Sequence, residues 1–328
     1  MEGIKRSDGI TKPEVYAVKH QDESIRAASR SGGIFTALSD LVFGSGGIVY
    51  GCVLTEDFRA VHIRADSADL RNQMRGSKYI QSELGDTYKN VKMDLDAGNS
   101  VLFSGTSCQA AGLRSYLGRE YEGLICVDIV CHGVPSKKVW MKYLEWQEKK
   151  TGKKVVAVDF RDKNTFGWRA HTETLTMDDG SSLSSQVFKT LFYGHTVLRP
   201  CCYECPYKDV MHPGDITIAD YWGIEKAAPE FDDNKGVSLV LVNTEKGIKV
   251  FAECKEKLIW KRTRIEDSMQ PPLKAPFPRP TNRDAFWQDF NADEFEKVVK
   301  RYGGYGWLNT VKRKMRSLKK RVAKILKG

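Results

Sequence analysis

Short apolar runs separated by helix-patterned stretches constrain this chain more than any other feature. "GIFTALSDLVF" places Ile34, Leu38, Leu41 and Val42 on one helical face, and "GGIVYGCVL" follows a glycine break as an apolar run of strand length. The alternation recurs in "SVLFSG", "GLICVDIVC" and "VVAVDF", with helical patterns around residues 84 to 96, 109 to 117 and 136 to 150 between them. Strands alternating with helices predict an α/β fold, a mainly parallel sheet with flanking helices. After residue 150 the texture changes. "WRAHTETLTMDDG" alternates apolar and polar residues before a turn, a helical stretch precedes the cysteine-rich segment, and "DITIADYWGI" and "GVSLVLVN" read as further strands. A second α+β region is therefore expected. The proline-rich "QPPLKAPFPRP", residues 270 to 280, excludes a helix or a central strand and predicts an extended connection that ends the packed body or straps across it. The expected division is a tail over 1–13, an α/β region over 14–135, a second region over 136–290 and a helical basic tail over 291–328.

The 328 residues suffice for one large domain or two modest ones. No apolar run reaches the roughly 18 residues of a membrane-spanning helix. The opening "MEGIKRSDGITKPEVY" lacks the apolar stretch of a signal peptide, so a cytoplasmic location is expected. In a reducing compartment, eight cysteines point to metal ligation or catalysis rather than a disulfide framework. The net charge of +10 is concentrated: residues 311–328 hold nine Lys or Arg and no acid, which leaves about +1 for the rest. That weighs against a nucleic-acid groove on the body. In the tail, Val311, Met315, Leu318, Val322, Ile325 and Leu326 form one helical stripe against a basic face. Such a helix suits an anionic membrane surface, and a peripheral position at the inner face of the membrane is expected from it. Docking of an acidic electron carrier is the competing use of the same charge.

"RPCCYECPYK" gathers three of the eight cysteines into five positions. Cys202 and Cys205 form a Cys-x-x-Cys pair, which can be a redox dithiol, half of a zinc site or half of an iron–sulfur ligand set. Two further cysteines, Cys108 in "VLFSGTSCQAAGL" and Cys131 in "GLICVDIVCHGVPS", follow apolar strands, where α/β sheets bind ligands. Each reads as standing at the start of a helix, whose free N–H groups favour a thiolate. Four thiolates in the order Cys-x22-Cys-x70-Cys-x2-Cys hold either zinc or a cubane cluster, and spacing leaves both open. Cys52, Cys126 and Cys254 read as core, and Cys201, adjacent to Cys202, points another way. Two stretches suit a phosphate-bearing cofactor. "SRSGGIFTAL" sets Ser31, Gly32 and Gly33 just before a helix, where small residues let backbone N–H groups approach a pyrophosphate. "RGSKYIQSELG" supplies Ser77, Lys78, Tyr79, Gln81 and Ser82, a set of donors with one cation and one ring that suits a flavin nucleotide.

Taken together, "SGGIFTAL", "RGSKYIQS", "FSGTSCQAAGL", "DIVCHGVPS", "CYECPYK" and "DITIADYWG" resemble, in order, the coenzyme F420 hydrogenase/dehydrogenase beta-subunit family, over roughly residues 14 to 245. That family also includes plant and cyanobacterial chlorophyll-pathway reductases. The resemblance implies an iron–sulfur flavoprotein oxidoreductase that passes electrons between a [4Fe–4S] cluster, FAD and an organic or deazaflavin-like substrate. It implies that Cys108, Cys131, Cys202 and Cys205 are the cluster ligands, that the 14–135 region binds the flavin, and that the Ser-Gly-Gly and Ser-Lys-Tyr segments approach it, with Thr106 and Gln109 beside them. Many relatives carry an N-terminal ferredoxin-like segment, whereas residues 1 to 51 here contain no cysteine, so a separate ferredoxin or another electron-carrier subunit is the expected partner. Ser107 stands where proline is usual before the first cysteine. Some members accompany surface-polysaccharide gene clusters, and polysaccharide biosynthesis is one expected setting. His132, Lys78 and Tyr79 are the candidate proton donors, by place in the motifs. A zinc-stabilised, non-redox binding protein using the same four thiolates is the alternative of another class.

Overall fold

In the computed structural model, residues 12–306 are described. The basic stripe over 311–328, and with it the expected membrane or carrier contact, lies outside the described residues. Eleven strands are present among the described residues: β1 (Glu14–His20), β2 (Ile48–Leu54), β3 (Ala60–Ala65), β4 (Val101–Thr106), β5 (Leu124–Ile129), β6 (Val155–Asp159), β7 (Glu173–Met177), β8 (Ser182–Ser185), β9 (Ile216–Asp220), β10 (Ser238–Val242) and β11 (Leu258–Thr263).

Eight of them form one sheet in the order β11-β1-β10-β9-β5-β4-β2-β3, and β6-β7-β8 form a second, small one. The α/β expectation holds. Strands β2, β4, β5 and β9 run parallel at the centre of the large sheet. Both margins are antiparallel: β3 folds back on β2, and β10, β1 and β11 extend the sheet beyond β9. The "VVAVDF" run, patterned like the buried strands, belongs to the small sheet as β6. The large sheet draws strands from both sides of residue 136, because β9, β10 and β11 return to it after the excursion through the small sheet.

Period-2 alternation divides the strands between two apolar layers. Tyr16, Val18, Val49, Leu102, Val127, Val240 and Val242 pack under the helices Ile34–Gly44 and Glu245–Cys254. Their neighbours Tyr50, Val101, Phe103 and Cys126 pack under Thr87–Asp96 and Ser107–Leu117 on the other face. A separate core joins the small sheet to Lys137–Thr151, Val187–Tyr193 and the two helices after the proline-rich run, Arg283–Ala292 and Phe295–Tyr302. Phe286, Val298 and Val299 are fully buried there. The proline-rich run is therefore a strap with packed helices beyond it. It contains one turn of 3-10 helix, Pro271–Leu273, and Gln270, Pro271, Pro272 and Phe277 wall a large cavity.

Candidate functional site

The cavity, about 670 Å³, opens at the carboxyl ends of β4, β5 and β9, the side of an α/β sheet on which ligands bind. That volume lies within the range of cofactor sites. Of the ten residues expected to touch a flavin, nine line it, and Gly32 does not. Gly32 is wedged against the sheet: its N–H donates to Ser238 Oγ (2.9 Å) and its carbonyl accepts from the His20 N–H (2.7 Å). Its missing side chain serves the approach of β1 and β10, not of a phosphate. Gly33 does reach the cavity. It caps Ile34–Gly44 in the left-handed conformation, φ +94°, and no side chain caps that helix, so the first turn presents its N–H groups beside Arg75, whose Nε donates to Thr36 Oγ1 (3.1 Å). Ser31 lines the wall with its hydroxyl donated to Val237 O (2.6 Å).

In the Ser-Lys-Tyr stretch the lysine lines the cavity, with its ammonium engaged by backbone carbonyls. Lys78 Nζ donates to the carbonyls of Gln73, Met74 and Arg75 at 3.1, 2.8 and 2.9 Å, closing the turn after Ala68–Asn72. Burial pushes its pKa down to about 8. The Tyr79 ring packs on His171 and Phe192, with centroids 5.0 and 5.1 Å apart, at the cavity wall. Ser77 and Gln81 line it too, and Ser82 accepts from Gln109 Nε2 (2.8 Å). Gln109 Oε1 accepts from the Thr106 N–H (3.0 Å), a cap that fixes the turn leading to Cys108.

All four expected ligand cysteines line one small hollow next to the large cavity, and Cys201 does not. Among the described residues no three His, Cys, Asp or Glu side chains are gathered as a ready-made single-ion site, so the sulfurs share a wall rather than a finished coordination sphere. Three of the four thiols face a backbone N–H: Gly133 at Cys131, Val134 at Cys202, Tyr207 at Cys205. Thr106 Oγ1 lies 3.2 Å from Cys108 Sγ. The reading of two helix-start thiols needs correction. Cys108 is the second residue of Ser107–Leu117, but Cys131 lies in the loop after β5, six residues before Lys137–Thr151. Burial dominates at Cys131, raising its thiol to about 12, and it also raises Cys202 and Cys205. A bound cation is what reverses such a shift, since it favours the thiolate directly.

Ser107, unlike the usual proline, is buried and tied to its surroundings. Its hydroxyl lies 3.1 Å from His212 Nδ1, which in turn lies 2.9 Å from Asp128 Oδ2. His132 forms a 2.8 Å Nε2 to Nε2 contact with His195, and burial lowers its pKa to about 3, so the pair is neutral with one nitrogen donating to the other. Lys208 is buried beside the thiols, donating to His132 O (2.6 Å) under the Phe277 ring.

The family defined by the C terminus of the coenzyme F420 hydrogenase/dehydrogenase beta subunit matches residues 98–268, which is more than half of the chain. The chain belongs to the coenzyme F420 hydrogenase/dehydrogenase beta-subunit family. Membership places it among hydrogenase- and dehydrogenase-type redox subunits. Four of the six segments that carried the resemblance fall inside the matched stretch. The fold is also similar to a chain of the F420-reducing [NiFe] hydrogenase complex from Methanosarcina barkeri, solved in a xenon derivative, at TM-score 0.53 and 17% identity over 88% of this chain and 92% of that one. Nothing among curated proteins matches the chain. No helix among the described residues is long and apolar enough to cross a membrane.

Several cavity residues of this family member were not picked out from the sequence. Cys52, read as core, lines the cavity on β2. His62 is buried with Nε2 donating to Ser104 O (3.0 Å); burial lowers its pKa to about 4, which leaves a neutral ring with Nδ1 as an acceptor. Arg30, Arg161, Asp220 and Trp222 meet at another part of the wall. Arg30 adjoins the Ser-Gly-Gly stretch, and Asp220 and Trp222 lie within "DITIADYWG", so proximity to those motifs was a usable signal. Arg161 carries none.

Proposed function

We propose that this subunit is an FAD and [4Fe–4S] oxidoreductase that moves electrons between an electron-carrier protein and an organic or deazaflavin-like substrate. The observation that carries the reading is a shared wall. Thr106, Cys108, Cys131, Gly133 and Val134 line both the cysteine hollow and the large cavity, so groups held in the two would be immediate neighbours.

When bound, a flavin supplies hydride and single-electron chemistry, and a cluster supplies single-electron transfer. The chain's part is binding and positioning. Cys108, Cys131, Cys202 and Cys205 would hold the cluster, and the N–H groups of Gly133, Val134 and Tyr207 with the Lys208 ammonium would stabilise negative charge on its sulfurs. The open first turn of Ile34–Gly44 and Arg75 would receive the pyrophosphate. His62 Nδ1 would accept from a donor of the nucleotide, and Tyr79 would face its ring. The His132–His195 pair lines the cavity next to Cys131, which makes His132 the best placed of the three candidate proton donors; Lys78 is committed to carbonyls. Ferredoxin or another carrier subunit is the expected partner, because Cys108 is exposed at the cluster site and offers a short path outward.

Anaerobic purification tests this directly. The expected protein is brown-yellow, with flavin absorbance and about four iron per chain. A colourless protein with one zinc per chain would support the non-redox alternative instead.

A further inference from the structure

Among the described residues, the large cavity is lined by five basic side chains, Arg30, Arg75, Lys78, Arg161 and Arg199, and by a single acidic one, Asp220. A dinucleotide pyrophosphate brings two negative charges, fewer than this wall can balance. The surplus is not spread evenly. Arg30 Nε and Arg161 Nη1 converge on the same oxygen, Asp220 Oδ2, at 3.5 and 3.2 Å, with all three side chains nearly buried. Asp159 adds a second nearby carboxylate and Lys163 a third cation, so two carboxylates face three cations.

The frame around them is fixed. Arg161 Nη2 donates to the carbonyls of Trp168 and Ala170, its guanidinium lies over the Trp222 ring at 5.1 Å, and Trp222 stacks on Trp168 with centroids 4.9 Å apart. Trp168 Nε1 donates to the other oxygen of Asp220 (3.1 Å), and Arg30 Nη2 to Trp168 O (2.7 Å). With Asp220 so engaged, Arg30 Nη1 and Arg161 Nε have no hydrogen-bond partner among the described residues although both are buried. Buried charged donors without acceptors are costly, and fixed ones are ready to receive an anion without reordering. The Tyr79 hydroxyl lies 3.5 Å from Arg161 Nη1, and Tyr193, which also lines the cavity, is held by His171 Nδ1 (2.9 Å), so phenol groups border the same place.

We propose that Arg30 and Arg161, set by Asp220 and Trp222, form a recognition site for an oxyanion of the substrate, a carboxylate or a phosphate, separate from the phosphate station of the nucleotide at Gly33 and Arg75. This rests on the flavoprotein reading only in calling the ligand a substrate. The substrate is then an organic anion held by its charged end.

The test is calorimetric titration of the protein as purified, at matched ionic strength, with malonate and separately with inorganic phosphate, while flavin content is measured before and after. One-to-one binding with full flavin retention is expected, and the stronger probe identifies carboxylate or phosphate. Arg30→Gln is expected to weaken that binding about tenfold or more while flavin content stays unchanged. If Arg30→Gln does not fold, Arg30→Lys keeps the charge, loses the fork, and is expected to weaken binding in the same direction. The proposal is overturned if neither probe binds, if Arg30→Gln binds like the parent protein, or if the anion expels the flavin, which would make this the nucleotide's own phosphate station. A protein isolated without flavin would sink the flavoprotein reading, yet the two titrations would still decide whether the arginine site exists.

Discussion

Replacing Gly32 with alanine separates a structural role for this residue from a cofactor role. A Cβ at position 32 would stand 2.0 Å from Val18 O and 2.7 Å from the backbone nitrogen of Ser238. Both are main-chain atoms, and Val18 and Ser238 are direct partners in the β1–β10 ladder, so neither strand can retreat without opening that pair. Relief requires moving the 31–33 turn outward, which breaks the hydrogen bonds from His20 and to Ser238. Two hydrogen bonds at about 1 kcal/mol each, plus about 1–3 kcal/mol for overpacking, give a loss of about 3–5 kcal/mol. Against a typical total of roughly 5–15 kcal/mol this is large. Gly46→Ala provides the comparison. Gly46, unlike Gly32, has a positive φ, +72°, and nothing lies within 4 Å of its added Cβ, so only the backbone cost of about 1–2 kcal/mol applies. Urea unfolding followed by circular dichroism reads both variants, and flavin content after purification reads the displaced Ser31 and Gly33. A Gly32→Ala protein with an unchanged urea midpoint would refute the steric reasoning, and loss of flavin at full stability would return Gly32 to the cofactor.

Cys202→Ser and Cys108→Ser should each remove most of the iron, whereas Cys201→Ser, which lies off the hollow, should leave it; metal analysis of anaerobically purified variants decides. Lys78→Met leaves three carbonyls without their donor and should lower the urea midpoint more than it lowers flavin affinity, the reverse of what a phosphate-binding lysine would give. Burial raises Glu173 from its ordinary 4.5 to about 7, so the folded state holds a proton that the unfolded chain releases. Stability should therefore fall as pH rises from about 5 through 7, and Glu173→Gln should flatten that slope in urea titrations. Co-sedimentation with anionic liposomes at low salt should be lost in a version ending at Thr310; equal sedimentation would refute the membrane reading, and slower reduction by ferredoxin would favour carrier docking.

Much of this protein was legible locally. The apolar runs that became β2, β4, β5, β9 and β10 stood out because a buried strand needs continuous apolar or β-branched residues on both faces, and "GIFTALSDLVF" showed the 3.6-residue period of Ile34–Gly44. Strands β1, β3 and β11 were less visible: they lie toward the margins, and β11 is exposed on both faces over Ile259, Trp260, Lys261 and Arg262 rather than forming a buried apolar run. The four candidate ligand cysteines could be named because their segments are short and ordered. That they line one hollow while Cys201 does not is a tertiary fact, since β5 and the 200–205 turn are brought together by a chain excursion of some seventy residues. Residue type alone did not show what Gly32, Lys78 and Cys52 would touch. A glycine permits close approach without saying of what, an ammonium takes whichever acceptors the fold places around it, and a thiol in an apolar strand faces core or cavity according to register. Arg161 had no local mark at all. It becomes a site residue only because β9 delivers Asp220 and Trp222 to the same corner, and long-range pairing of that kind is set by the whole sheet rather than by any stretch of sequence.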